Sequence, residues 1–203
     1  MRFSEYLKRI KDGENVLIEH TSLSPYPKLF YEIGNAYGWE RLLLIDILDS
    51  SMPVIRWLRL AGLMVPTHVK RIKAGGVSEW GEVIFEIDPH KDPGIFLSRF
   101  SNWAARYYLN NPGTVSVVMN PERLIPLQNN NPRFIISLTN LGVAFIGNPK
   151  RRTFYFVNTD LADRRYVALL EEAFIRVMRI DDDGRTMIVK SPEEDEGASL
   201  EPV

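Results

Sequence analysis

The stretch VLIEHTSLSPYPKLFY, Val16 to Tyr31, decides how the whole chain is read. Val16 to Glu19 is a near-continuous apolar run rich in branched residues, the pattern of a strand covered on both faces. Tyr26 to Tyr37 then sets Leu29, Phe30, Ile33 and Tyr37 on one side of a helix that Gly38 stops. Strand, tight loop, helix is an order in which phosphate is bound, through backbone N–H groups that a glycine-rich loop leaves free to converge. Here the loop holds no glycine, and Pro25 and Pro27 remove two of the N–H donors.

Working outward, the alternation continues. RLLLIDIL, Arg41 to Leu48, is a second buried-strand run, and Met52 to Ala61 is a helix with Pro53 near its first turn and Gly62 at its close. This order predicts parallel strands joined by crossover helices. In HVKRIKAGGVSEWGEVIFEID, His68 to Asp88, period-two runs flank Gly75-Gly76, which predicts a hairpin-like excursion or two strands joined by a turn. A helix carrying Phe96, Phe100, Trp103 and Tyr107 follows, with Asp92 as its cap. TVSVVMN (114–120) and RTFYFVNT (152–159) read as strands, Phe134 to Phe145 and Arg164 to Phe174 as helices. IRVMRIDDDGRTMIVKS (175–191) reads as two strands around the turn signal Asp183-Gly184. Ahead of all this, Phe3, Leu7 and Ile10 fall at helical spacing before Asp12-Gly13.

The expectation is a single α/β domain over residues 1–191, a three-layer sandwich with a mostly parallel sheet and a C-terminal β-hairpin. Residues 192–203, PEEDEGASLEPV, form an acidic tail; Glu193, Glu194, Asp195, Glu196 and Glu201 repel one another, so it is expected to be solvated.

Composition sets limits. The 203 residues carry a formal net charge of -1, which gives no global attraction to nucleic acid or an anionic membrane. No cysteine occurs, which excludes disulfides, thiolate catalysis and cysteine-ligated metal centres. MRFSEYLKRIKDGENV lacks the apolar core of a signal peptide and no run is long enough to span a membrane, so a cytoplasmic protein is expected.

ENVLIEHTSLS, LLLIDILDS and RVMRIDDDGRTMIVKSP resemble a small family of uncharacterised proteins from hyperthermophilic archaea. The order of elements from Glu14 to Ser191 looks like the RecA and KaiC-like branch of the P-loop NTPases. The resemblance implies a RecA-like fold and no chemistry. Set on the phosphate-binding pattern, Lys28 takes the lysine, Ser22 and Pro27 fall at the two glycines, and Leu29 falls at the magnesium-binding hydroxyl. Serine cannot take the open glycine geometries cheaply, so the motif reads as degenerate. At the end of VSVVMN, where the related enzymes have an aspartate for magnesium, stands Asn120, a neutral amide, with Glu122 beyond Pro121.

In parallel sheets ligands bind outside the carboxyl ends of the strands. The polar residues there are Glu19 and His20, Asp46 and Asp49, Asp88 and His90, Asn120 and Glu122, and Asn158 to Asp160. Each also suits a cap or turn. DPHKD, Asp88 to Asp92, offers carboxylate and imidazole for a metal but reads better as a turn leading into a helix. Basic clusters at Lys70, Arg71 and Lys73, at Lys150 to Arg152 and at Arg164-Arg165 read as solvated loops and salt bridges rather than a nucleic-acid surface. No serine sits in a nucleophile elbow.

The reading is a non-catalytic RecA/KaiC-like domain that has lost ATPase activity and acts as a regulatory partner of an active relative or as a protein- or peptide-binding module, at the vacated rim or along an exposed sheet edge, with no cofactor, membrane, nucleotide or nucleic acid. Its candidate ligand-binding residues are Glu19, His20, Thr21, Ser22, Lys28, Asp46 and Asp49. The alternative is an atypical nucleotide-binding protein whose glycine-free loop uses Thr21, Ser22, Ser24 and Lys28. A homo-oligomer joined through the aromatic helix around Trp103 is a third reading.

Overall fold

The computed structural model describes residues 1–193 and 196–201. In chain order the elements are α1 (Phe3–Leu7), β1 (Asn15–His20), α2 (Pro27–Tyr37), β2 (Leu42–Ile47), α3 (Ser51–Leu60), β3 (Lys70–Ala74), β4 (Glu82–Ile87) and α4 (Pro93–Asn110). They continue as β5 (Thr114–Met119), α5 (Leu124–Leu127), α6 (Pro132–Val143), β6 (Arg151–Asn158), α7 (Arg164–Ala173), β7 (Arg176–Ile180), β8 (Thr186–Lys190) and β9 (Ser199–Leu200).

One sheet runs through all nine strands in the order β4-β3-β2-β5-β6-β1-β7-β8-β9. Strands β1 to β7 are mutually parallel; β8 runs antiparallel to β7, and β9 antiparallel to β8. The central runs β1, β2 and β5 are buried along their whole length, because helices cover both faces. Val16, Ile18, Leu42 and Leu44 pack under α2 and α3; Leu17, Leu43, Ile45 and Val157 pack under α4, α6 and α7. Steps toward β4 cross on the first face and steps toward β7 cross on the second, which keeps one hand for every crossover. The helices start where the sequence places acceptors: the side chains of Asp92, Asn131 and Asp163 each take a first-turn N–H of α4, α6 and α7. No helix among the described residues is long and apolar enough to cross a membrane.

Two expectations are corrected. Residues 69–87 do form two strands, but β3 and β4 pair in parallel, Lys70 beside Glu82 and Ala74 beside Ile87, with an irregularity between Arg71 and Ile72. Gly75 and Gly76, at φ 74° and 87°, turn the chain off the sheet into a return strap, residues 75–81, instead of closing a hairpin. No helix is needed to make the crossover, because the side chains of Asp49 and Arg71 pin the strap. Asp49 Oδ2 accepts the N–H groups of Val77 (2.6 Å) and Ser78 (2.9 Å), and Arg71 donates to the Ser78 carbonyl.

The acidic tail is the second. Glu193 receives two hydrogen bonds from Arg176 (3.0 and 3.1 Å), Ser199–Leu200 pairs with β8, and Leu200 is buried in the core beside Ile188. Glu201 sits 3.5 Å from Arg2. Fixed cations and one apolar anchor thus outweigh the mutual repulsion of the acids. Glu194 and Asp195 lie outside the described residues, as do residues 202 and 203.

Candidate functional site

The carboxyl end of β1 meets the ends of β5 and β6, and the sequence sends polar side chains to all three. His20 closes β1. Its Nδ1–H donates to the Thr21 carbonyl (2.9 Å), which leaves Nε2 to accept from the Asn120 amide (3.2 Å). The ring stacks on Tyr26 with centroids 3.7 Å apart. Burial lowers its pKa to about 4, so the imidazole is neutral.

In the loop that follows, the Ser22 and Ser24 N–H groups and the Thr21 and Ser24 hydroxyls are bonded within the protein. Ser22 N–H donates to Asp160 (2.8 Å), and Ser24 N–H donates to the Thr21 hydroxyl (3.1 Å), which itself donates to Asp182. The Asn158 amide donates to the Ser22 hydroxyl (3.1 Å), and Pro25 and Pro27 have no N–H to give. Two carboxylates therefore stand where an anion would need to approach. The hydrogen bonds from Ser22 hold the Asp160 carboxyl below its usual range. Lys28 lies half-buried in the first turn of α2.

Asn120 ends β5 in the left-handed conformation, φ 52° and ψ 55°. Its amide also donates to Glu122 (2.9 Å), which accepts the Asn158 N–H as well (3.3 Å). Burial raises the Glu122 pKa to about 7. Asn120 Oδ1 and Glu122 Oε2 have no partner among the described residues. His20, Asn120, Glu122 and Asn158 are thus one buried hydrogen-bonded cluster, suited to holding three strand ends together.

The remaining candidates lie apart from this cluster. Asp46 points into the α3 face, where it accepts from the Ser51 N–H (2.9 Å) and hydroxyl (2.6 Å) and pairs with the fully buried Arg71 (3.2 Å). Asp49 holds the strap. Glu19 is buried on the opposite face from His20, paired with Arg179 at 2.6 Å; burial raises its pKa to about 7 against the pull of that guanidinium. Of the seven candidates, His20, Thr21 and Ser22 meet beside this cluster, while Asp46 and Asp49 meet around Arg71, at 3.2 and 4.0 Å from its Nη1. Arg71, Arg179, Tyr26 and Asp182, which decide these environments, carry no sequence signal, since each acts on a partner distant in the chain or packs only after the sheet forms.

Asp88 and His90 pair with each other on an exposed turn (3.1 Å), and no group of three metal-ligating acids or histidines occurs among the described residues. The basic clusters divide: Arg71 is buried, Arg151 lies over the Tyr108 and Phe145 rings, Arg152 pairs with Asp12 (3.2 Å) and Arg165 with Asp163 (2.8 Å). Trp103 is stacked between Phe85 (4.8 Å) and Tyr107 (5.0 Å), fastening α4 to β4.

Against known proteins, the family model described as "Pyrococcus protein of unknown function, DUF257" matches residues 5–193, and the chain belongs to that family. A protein from Pyrococcus horikoshii OT3, known through a structural study, is 26% identical, with a TM-score of 0.83 over 100% of this chain and 99% of its own. A prototypical ATPase from the type III secretion system of pathogenic bacteria superposes at a TM-score of 0.58, with 13% identity, over 83% of this chain and 51% of that one. An uncharacterized Pyrococcus horikoshii protein in complex with an unknown peptide gives a TM-score of 0.57, with 14% identity, over 93% of this chain and 90% of its own. No curated protein matches the chain. The fold is RecA-like, as the resemblance implied.

Proposed function

We propose that the chain is a RecA-like domain that works by binding a polypeptide and does not turn over a nucleotide. The observation that carries this is the state of the loop after β1. The Ser22 and Ser24 N–H groups and the Thr21 and Ser24 hydroxyls are taken by Asp160, Asp182 and Thr21, the prolines supply none, and the Tyr26 ring lies against His20. A triphosphate brought there meets two carboxylates instead of a ring of amide donors. Asn120 is a neutral amide and brings no charge to a magnesium ion.

Polypeptide recognition is supported by the outer side of β4, which has no strand partner among the described residues. The Pyrococcus horikoshii protein of the same fold in complex with an unknown peptide supports it as an analogy of fold. Isothermal titration of the intact chain with ATP and ADP in the presence of magnesium tests the first half. The expected result is no measurable heat up to about millimolar ligand. Micromolar binding that Lys28→Ala abolishes would overturn it in favour of the glycine-free loop as a nucleotide site.

A further inference from the structure

From Ser50 to Ser78 the chain contains no acidic residue, but it contains Arg56, Arg59, His68, Lys70, Arg71 and Lys73. Arg71 and Lys73 are buried, while Arg56 and Arg59 are exposed on α3 with no hydrogen-bond or ion-pair partner among the described residues. Between them and just beyond lie Trp57, Leu60 and Met64, at 38, 90 and 70% exposure. Single exposed apolar residues are ordinary, whereas three within eight residues beside two unpaired cations form a patch. Next to it is a cleft of about 250 Å³ lined by Ile55, Leu63, Met64, Val65 and Trp80, with Arg59 its charged residue. That volume is below the usual size of a small-molecule pocket and suits one or two bulky side chains.

We infer that this surface docks an acidic amphipathic segment of a partner protein, whose apolar anchor enters the cleft while its Asp or Glu side chains meet Arg59 and Arg56. Charge complementarity selects the occupant. A second copy presenting the same surface would bring its own Arg56 and Arg59 and no acid from residues 50–78 to meet them. Trp80 reaches the cleft from the strap, so the docked segment would lie close to the free side of β4. This inference rests on the polypeptide reading and gives it a place.

Random twelve-residue peptides displayed on phage, selected on the intact chain and then synthesised with a fluorescent label, are the probe. The enriched peptides should carry a bulky apolar residue beside Asp or Glu. They should bind at least about tenfold more weakly to Arg59→Glu and to Met64→Ser. Both positions line the surface cleft without entering the core, and circular dichroism checks that each variant is folded.

Peptides that bind Arg59→Glu and wild type equally overturn this site and leave polypeptide recognition standing elsewhere. Failure to select any peptide, together with micromolar ATP binding, overturns both. Failure to select any peptide without ATP binding overturns this site alone. Binding of vesicles containing phosphatidylserine that is lost in the same two variants, or a dimer in light scattering that Arg59→Glu makes monomeric, overturns the assigned occupant.

Discussion

Exchanging Glu122 for Gln should tilt the pH dependence of stability upward between about pH 4.5 and 7. In the folded chain burial keeps the Glu122 carboxyl protonated up to about pH 7, whereas a free glutamate gives up its proton near 4.5. Across that window the folded form holds the extra proton, so its contribution is complete below about pH 4.5 and is lost as the pH rises through 7. The full loss is about 3 kcal/mol, or about 1 kcal/mol per pH unit. Gln has no proton to lose, and it keeps an oxygen for the Asn120 amide and the Asn158 N–H. His20 works with the opposite sign. Its pKa falls from 6.5 to about 4, so its contribution is present above 6.5 and is lost as the pH drops through 4.

In the wild type these two slopes oppose each other where their windows overlap, and single variants separate them. Relative to wild type, Glu122→Gln should gain about 1 kcal/mol per pH unit from 4.5 to 7, and His20→Gln should lose about as much per unit from 4 to 6.5. Guanidinium chloride unfolding followed by circular dichroism at several pH values measures both. Other groups, the raised Glu19 among them, are common to both members of each comparison and drop out. A stability difference between Glu122→Gln and wild type that stays flat from pH 5 to 7 would refute the account of the cluster as buried and neutral.

Two further outcomes bear on the frame around the cluster. Asp46→Ala should cost about 3 to 5 kcal/mol, because Arg71 is left as a buried charge without its principal partner; denaturant midpoints read it directly. Leu200→Ala should cost about 2 kcal/mol, the low end for a buried leucine at the end of a two-residue strand, and should raise amide hydrogen exchange in β8.

The parallel core was legible because buried strands announce themselves as apolar runs and their helices carry proline at the start and glycine at the end. Direction was not legible at β3 and β4: period-two alternation is the same for parallel and antiparallel strands, and the strap has no helix to reveal a crossover. Leu200 is one apolar residue among acids, too little for any periodicity to mark as core. At the candidate site, the strand-end rule named His20, Asn120, Glu122 and Asn158, which the structure brings together. It could not see that Asp46 and Glu19 are taken by Arg71 and Arg179, since those pairings exist only in the assembled sheet.

The strap also has a consequence for the order in which the sheet assembles. Pairing β4 with β3 closes only residues 75–81, whereas pairing β5 with β2 must close residues 48–113. The difference in closure entropy is about 2 kcal/mol in favour of the short loop. The outermost parallel pair is therefore a local folding unit: it can form early, and it can open and close again without waiting for the slow long-range register of the centre.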